Sequence, residues 1–399
     1  MQSVTIVGAG LSGLTAGIIL ARDGYEVTVL EEKERVGGAS LTASAVAKHD
    51  ISFADMTPLD LGAINRYLGF DLAEPAEPAR PGDPARPAEP AELTRAGHAR
   101  AGSLESAPFC NPLPVLRLRV YGKVIDLEPP PGVHMKTVER GARESSLDMR
   151  LYELAIDAGV KFSFKEAVRR RQDFAELPPN SIIATGMFRH AFDALDIPYS
   201  RAHGYFAGGP AGADRSPYCV AYFNEHTRDY AYFASANGVG AAVLFQRRKP
   251  LTVASMEWFP AQLAEDEGIE FTRWDAIDNL VGTPTGTLWN PRLFSGNLIL
   301  TGTLAGMQDP SMVLGVHGAL VSGKIAAMAV SSRDGALAEF RRLNRWWKVA
   351  YLARRVLWAT HPWGPRAAMP QVLKLAPHID QRYVWMVTPA IPGWMHLDD

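Results

Sequence analysis

A glycine-rich turn near the amino terminus is the first feature of the sequence that could do chemistry. Gly8, Gly10 and Gly13 form the pattern G-x-G-x-x-G. A short β-branched run precedes the pattern and small and apolar residues at helical spacing follow it, which places it between a strand and a helix. Glycines at these positions allow a tight turn, a close approach of the backbone to a pyrophosphate, and close packing of the helix on the strand.

An acidic residue at the end of the next predicted strand completes the pattern. Glu31 follows Gly10 by 21 residues, and a carboxylate at that place accepts hydrogen bonds from ribose hydroxyls. The phosphates would meet free backbone N–H groups and the positive end of the helix dipole. We therefore predict a dinucleotide site rather than a purely structural turn. Its turn residues are Gly8, Ala9, Gly10, Leu11, Ser12 and Gly13.

The elements that must position these residues begin with a βαβ unit. Strands over 4–7 and 26–30 flank a helix over 11–22, and Gly24 ends the helix. Further predicted elements are a hairpin over 115–127, a helix over 147–158, strands over 160–164 and 182–184, antiparallel strands between about 200 and 260, a strand over 298–300 and a helix over 312–331. This order predicts a nucleotide-binding domain that a β-rich substrate domain interrupts.

Composition excludes several classes of protein. The chain has 399 residues and a formal charge of −2, so it is long enough for two to three domains of ~150 residues and has no bulk basicity for nucleic acid. Two cysteines, Cys110 and Cys219, cannot form a disulfide framework or a zinc site. No apolar run approaches the ~20 residues of a membrane span, and no signal peptide is evident. We expect a cytoplasmic protein.

Residues 74–91 differ from the rest of the chain. They read as six triplets of a charged residue, proline, and alanine or glycine. A three-residue proline period is typical of an extended, solvated polyproline II segment. We interpret the segment as a disordered surface insertion, and the alternative is a docking arm for another protein.

The residues after the second predicted strand indicate which dinucleotide is bound. The run Glu31-Glu32-Lys33-Glu34-Arg35-Val36-Gly37-Gly38 resembles the signature of FAD-binding proteins in the glutathione-reductase-like superfamily, and 182–186, which ends Ala184-Thr185-Gly186, resembles their Ala-Thr-Gly segment. The resemblance implies that Arg35 contacts phosphate or ribose, and that Gly37 and Gly38 let the loop approach the flavin.

A third segment resembles the second FAD motif of geranylgeranyl-reductase and aromatic-hydroxylase-like flavoproteins. It comprises 300–306, Asp309-Pro310 and 315–327. The resemblance implies a helix whose amino terminus faces the pyrimidine edge of the flavin. Gly302-Thr303 stands where the family usually has Gly-Asp, so the usual carboxylate contact to the ribityl chain is missing. The cofactor residues that these resemblances imply are Glu31, Glu32, Arg35, Gly37, Gly38, Ala39, Ala184, Thr185, Gly186, Gly302, Thr303, Pro310, Gly315 and Val316.

The sequence offers few residues for the substrate side. Tyr230, Tyr232 and Phe233 would line a pocket on the sheet, or else form plain core. His317 is a catalytic candidate, and a structural role is the alternative. We expect the unpaired cysteines to be buried apolar residues rather than proton donors. We predict no metal site.

The carboxyl-terminal part is basic and rich in tryptophan. Six of the nine tryptophans follow residue 345. A helix over 341–355 would place Arg341, Arg345, Lys348 and Arg355 on one stripe and Trp346, Val349, Ala350, Ala353, Val356 and Leu357 on another. Such a helix either packs on its own domain or lies in a membrane interface through residues 341–358, which would make the protein membrane-associated.

Together these features predict an α/β protein, α+β overall, with a discontinuous Rossmann-type FAD-binding domain, a mainly antiparallel substrate domain and a helical tail. The FAD-binding parts are 1–72, 141–195 and 291–332, the substrate parts are 104–140 and 196–290, and the insertion (73–103) and tail (333–399) complete the chain.

We expect an FAD-dependent reductase or dehydrogenase that acts on a hydrophobic small molecule, such as an isoprenoid or polyketide, through flavin N5. The alternatives are a monooxygenase that uses oxygen and NAD(P)H as external electron donor, and a non-catalytic binder built on the same fold.

Overall fold

The computed structural model describes residues 2–37, 53–73, 107–129, 132–211, 217–283, 291–310 and 312–375, together with 378 and 397. Gly38, Ala39 and the proline-rich segment 74–91 lie outside the described residues.

The strands of the described residues are β1 (Ser3–Val7), β2 (Glu26–Glu31), β3 (Phe53–Pro58), β4 (Cys110–Pro112), β5 (Leu116–Val120), β6 (Lys123–Leu127), β7 (Met135–Arg140), β8 (Lys161–Phe164), β9 (Ile182–Ile183), β10 (Ser200–Pro210), β11 (Tyr218–Phe223), β12 (Tyr230–Ala236), β13 (Val239–Arg247), β14 (Asp275–Thr283), β15 (Phe294–Ser295) and β16 (Leu298–Leu300). The helices are α1 (Leu11–Arg22), α2 (Leu61–Leu68), α3 (Leu147–Asp157), α4 (Arg171–Ala175), α5 (Arg189–Ala194), α6 (Val253–Glu267), α7 (Val316–Ser331), α8 (Arg333–Leu343), α9 (Trp347–Thr360) and α10 (Trp363–Leu375), with a 3-10 helix at Gly302–Ala305.

The first layer is a six-stranded sheet in the order β15-β16-β9-β1-β2-β8. All of its strands are parallel to their neighbours except β15, which pairs antiparallel with β16 at one edge. The central strands are apolar and buried, as parallel strands covered on both faces are. Helices α1 and α7 pack against each other beside this sheet. The predicted Rossmann-type fold, assembled from distant parts of the chain, is thereby confirmed.

The second layer is a seven-stranded sheet in the order β14-β10-β13-β12-β11-β5-β6. Its pairs are antiparallel except β11 and β5. One face packs against α6 through Phe259 and Leu263, which belong to one cluster with Val220 and Tyr222 of β11. The small sheet β3-β7-β4 lies next to β12 and β13. The larger sheet therefore faces a helix on one side and the small sheet and a cavity on the other.

The helix predicted over 312–331 begins later than expected. The carboxylate of Asp309 accepts a hydrogen bond from the Met312 N–H at 2.7 Å, and Val313 has a φ of 62°. A β-branched residue in the left-handed region cannot continue a right-handed helix. Residues 312–315 consequently form a turn, and α7 starts at Val316.

Most residues of the predicted apolar stripe of the tail face away from the protein core. The segment 341–355 is divided between α8 and α9, and of the six stripe residues only Ala350 is buried. The face of α9 that packs on the protein carries Trp347, Ala350, Tyr351, Arg354 and Trp358. Arg354 turns this face inward because it pairs with the buried carboxylate of Asp229 at 2.6 Å.

Among the described residues, none of the helices has both the length and the apolar character needed to cross a bilayer. Both cysteines are buried free thiols, and burial raises the pKa of each.

Candidate cofactor and substrate site

The glycine-rich turn contains two positions that need glycine for packing and one that borders open space. A Cβ added at Gly8 would lie 2.5 Å from the Ala184 carbonyl oxygen, and one at Gly13 would lie 2.0 Å from that of Gly8. At Gly10 an added Cβ would meet nothing within 4 Å. The turn is thus packed tightly against the end of β9 and leaves room beside Gly10, where the motif requires a phosphate.

The amino termini of α1 and α7 border one cavity of about 300 Å³. Gly10 caps α1 and Gly315 caps α7, neither helix end has a side-chain cap, and neither first turn contains an acidic residue. Backbone N–H groups at uncapped helix ends, together with the positive ends of two helix dipoles, favour an anion or an electron-rich ring edge. This arrangement fits the diphosphate and pyrimidine ends of a flavin nucleotide.

The matched segments meet at this cavity because of the sheet topology. Strands β1, β9 and β16 are parallel neighbours, so their carboxyl ends lie on one edge, where open α/β sheets bind ligands. The predicted cofactor residues that line the cavity are Gly10, Leu11, Ser12, Ala184, Gly186, Gly302, Thr303, Gly315 and Val316.

Three buried polar atoms in this region have no hydrogen-bond partner among the described residues. They are Thr185 Oγ1, Gln308 Oε1 and His317 Nδ1. Gln308 lines the cavity, and its amide nitrogen donates to the Val313 carbonyl at 2.9 Å. Because buried polar atoms are nearly always satisfied, these orphaned oxygens indicate that a ligand completes the site. The residues present therefore fit FAD.

Glu31 is held at the turn by two backbone groups. Its carboxylate oxygens accept hydrogen bonds from the Ala9 N–H at 2.7 Å and from the Lys33 N–H at 2.9 Å. These bonds fix both the turn and the chain after β2. Since each carboxylate oxygen accepts more than one hydrogen bond, Glu31 still has lone pairs for ribose hydroxyls, and its ribose contact stays a prediction.

Several predicted cofactor residues do not line the cavity. Glu32 pairs with Arg169, and Arg35 is exposed. An added Cβ at Gly37 would lie 2.2 Å from the Gly141 carbonyl oxygen, so chain packing requires glycine there, and its approach to the flavin stays a prediction. The Pro310 carbonyl accepts a hydrogen bond from Arg247 at 2.7 Å.

Some of the predicted substrate-side residues line the cavity and others do not. Tyr230 and Tyr232 line the cavity. Phe233 packs on the α6 side of the sheet, because neighbouring residues of a strand point to opposite faces, so its predicted pocket role is wrong. His317 is 2% exposed and absent from the cavity wall. Burial lowers its pKa to about 3, which makes it a neutral core residue rather than a catalyst.

One group of cavity residues was missed by the sequence reasoning. It is a polar corner, which we define as Asp55, Arg140 and Tyr232. Asp55 and Tyr232 are hydrogen-bonded. The Arg140 guanidinium donates two hydrogen bonds to the Asp148 carboxylate, at 2.7 and 3.0 Å. Burial raises the pKa of Asp55 although Arg140 lies near. The corner thus contains a carboxyl group that keeps its proton to a higher pH than an ordinary aspartic acid.

The remaining walls of the cavity beyond the cofactor motifs are largely apolar. They include Phe53, Met56, Met187, Ala202, Val243, Phe245, Ile277, Val313 and Leu314. An apolar molecule with one polar end would place that end at the polar corner. One signal could have pointed to it: Asp55 is the single charge in the otherwise apolar run Phe53-Ala54-Asp55-Met56.

Known proteins resemble the chain at the glycine-rich turn. A family model described as an NAD(P)-binding Rossmann-like domain matches residues 6–65. An L-amino-acid oxidase from Sistrurus catenatus edwardsii is 66% identical over 37 residues, which are 9% of this chain and 7% of the oxidase. The chain therefore shares only a short segment with this curated relative.

Solved structures match over nearly the whole chain at low identity. A geranylgeranyl bacteriochlorophyll reductase-like protein from Thermoplasma acidophilum has a TM-score of 0.60 and 13% identity, covering 100% of this chain and 98% of that one. A variant of Klebsiella pneumoniae HpxO complexed with FAD has a TM-score of 0.57 and 14% identity, covering 98% of each. Others include a monooxygenase and a flavin-dependent halogenase. The chain shares the fold of these proteins, one of which is complexed with FAD.

Proposed function

We propose that this protein is an FAD-dependent reductase or dehydrogenase that acts on a hydrophobic small molecule, such as an isoprenoid or polyketide. The single observation that carries this proposal is the continuous cavity, which joins two uncapped helix ends to largely apolar walls and the polar corner. FAD, when bound there, would supply hydride transfer at its N5 atom. The protein residues would bind, orient, exclude water and move a proton.

The two sides of the cavity have different tasks. The α1 turn and Glu31 would hold the adenosine and diphosphate end, while Gly302, Thr303 and the start of α7 would hold the flavin end. Thr303 stands in the place of the family's aspartate and offers one hydroxyl to the ribityl chain. The apolar walls would exclude water from the reacting atoms.

Asp55 and Tyr232 would handle the proton. When a double bond is reduced, one carbon accepts hydride and the other accepts a proton. In the reverse reaction, dehydrogenation, the substrate loses the hydride and gives the proton to a base. The raised pKa of Asp55 favours a protonated carboxyl group, which is the form that donates a proton. Tyr232, its hydrogen-bond partner, would orient the carboxyl group toward the substrate.

Rapid-mixing spectroscopy of the flavin tests the proposal. Reduction of the flavin by a candidate substrate alone would establish a dehydrogenase or oxidase, and oxidation of pre-reduced flavin by an isoprenoid under anaerobic conditions would establish a reductase. Flavin that no organic substrate reduces or oxidises would contradict both.

The runner-up is an NAD(P)H- and oxygen-dependent monooxygenase. The similarity in fold to a p-nitrophenol 4-monooxygenase favours it, and the polar corner offers hydrogen bonds that a phenol could use. Reduction by NAD(P)H followed by a flavin hydroperoxide spectrum would establish this reaction instead.

A non-catalytic binder is the candidate from another class. The replacement of the usual acid by Thr303 favours it. Purified protein that neither carries flavin nor gains any from added FAD would support the binder and exclude the enzyme.

A further inference from the structure

Helix α9 exposes an apolar stripe that no other part of the described chain covers. Val349, Leu352 and Val356 are 41%, 48% and 62% exposed. Their spacing of three and four residues places them on one face of the helix. Scattered exposed aliphatic residues need no explanation, but an aligned stripe is typical of a surface that contacts something else.

The orientation of this stripe is fixed by the opposite face of the helix. Arg354 pairs with Asp229 at 2.6 Å, and both side chains are buried. Trp347 and Trp358 are buried on the same side. The buried ion pair and the two buried tryptophans pack one face of α9 against the protein. The opposite face, which carries the apolar stripe, is therefore exposed.

Charge identifies the kind of surface that the stripe suits. Residues 340–375 contain eight lysines and arginines and no aspartate or glutamate. Arg354 is buried against Asp229, and Arg342 and Arg366 pair with Glu339 and Glu225. Lys348 and Arg355 are exposed and lie together along one side of the apolar stripe. Trp363, at the start of α10, is 69% exposed. Exposed aliphatic residues beside basic residues, with an exposed tryptophan at the start of the next helix, are features of a helix that lies in a membrane interface.

We propose that α9 docks this protein on an anionic lipid bilayer, with Val349, Leu352 and Val356 entering the headgroup boundary. Lys348 and Arg355 would contact the anionic headgroups. A protein partner is the alternative occupant, and the exposed aliphatic stripe with exposed basic residues along one side favours a bilayer that contains anionic lipid.

Vesicle co-sedimentation of the full-length protein tests this proposal. Vesicles of phosphatidylcholine mixed with phosphatidylglycerol should bind the protein, vesicles of phosphatidylcholine alone should bind it weakly, and salt should weaken the binding. The triple substitution Val349→Asn, Leu352→Asn and Val356→Asn should reduce partitioning by about tenfold or more, since several apolar groups are lost from the interface.

The matched control is Val253→Asn on α6, which replaces a valine that is 64% exposed on another helix and should leave binding unchanged. Unfolding midpoints of the variants should match that of the wild type, since the substituted residues are exposed. Unaltered vesicle binding by the triple variant, or none by the wild type, would overturn the proposal. A dimer that the triple substitution abolishes in sedimentation velocity would also overturn it, by showing a second copy on the stripe.

Discussion

Two aspartates of this protein, the buried Asp229 and the half-buried Asp55, lie close to arginines and behave in opposite ways. Asp229 binds Arg247 at 2.7 Å and Arg354 at 2.6 Å, all within the protein interior. Burial alone would raise the pKa of Asp229, but the two arginines lower it to about 2. Burial raises the pKa of Asp55, and the nearby Arg140 does not reverse this.

The difference lies in how the arginine charge is already balanced. Arg140 is bound bidentately by Asp148, so little of its charge is left to stabilise an Asp55 carboxylate. Asp229, by contrast, receives direct ion pairs from two arginines at once. One aspartate therefore stabilises the fold as a permanent anion, whereas the other is suited to exchanging a proton beside the cofactor cavity.

Asp55→Asn should have the largest effect on activity. We expect the rate of substrate-dependent flavin oxidation or reduction to fall by about 10²–10⁴-fold, the range for loss of a general acid or base. FAD affinity should not change, because Asp55 is not one of the predicted cofactor residues. Stopped-flow rates and flavin titration check both points, and an unchanged rate would remove Asp55 from the proposed mechanism.

Asp229→Asn should have the largest effect on stability. Two buried arginines would lose the carboxylate that they share, so we expect the free energy of unfolding to fall by about 3–5 kcal/mol in urea titration. The control is Asp126→Asn, which breaks an exposed pair with Arg117 and should cost at most about 1 kcal/mol. Equal losses in the two variants would contradict the structural role of the buried cluster.

The two aspartates should also respond oppositely to pH. Asp229 stabilises the fold above its unfolded pKa of about 3.9, and this stabilisation is lost as pH falls toward 2. Asp55 has a raised folded pKa, so its contribution is complete below about pH 3.9 and is lost as pH rises through the folded value.

Urea titrations of the wild type and both Asn variants across this pH range measure the two contributions. Asp55→Asn should be more stable than the wild type near neutral pH, and the advantage should shrink with acidification. The loss of unfolding free energy in Asp229→Asn should also become smaller as the pH falls. If the free energy of unfolding of either variant differed from that of the wild type by the same amount at every pH, the assigned pKa shift would be contradicted.

Tyr232→Phe should have a smaller effect than Asp55→Asn. It keeps the ring in the cavity wall and removes only the hydroxyl that binds Asp55. Because the carboxyl group stays, we expect a loss of about tenfold in rate with little change in unfolding free energy. The pH profile of the rate should shift as the Asp55 pKa changes, and a rate loss equal to that of Asp55→Asn would assign the proton to the tyrosine instead.

Much of the cofactor site could be predicted from the sequence because its parts are local. Each part has a recognisable local sequence motif: the turn at Gly8–Gly13, the segment at Ala184 and the segment at Gly302. Parallel strands then bring their ends together at one edge of the sheet.

The polar corner and the α9 facing could not be predicted because they depend on distant partners. Asp55, Arg140 and Tyr232 come from three different strands, and their meeting is a property of the tertiary fold. Arg354 belongs by sequence to a basic run, and only its pairing with Asp229, 125 residues away, turns it inward. Phe233 is different, since the two-residue period of a strand already separates it from Tyr232.

Titration of the purified protein with FAD tests the central claim most directly. We predict one saturable FAD site, with affinity reduced by at least about tenfold in Gly10→Ala, whose new methyl group would enter the open space beside the turn. Gly17→Ala, in the same helix but against Val160, should bind FAD like the wild type. Absence of FAD binding, or equal affinity in Gly10→Ala and the wild type, would contradict the claim that this cavity holds the cofactor.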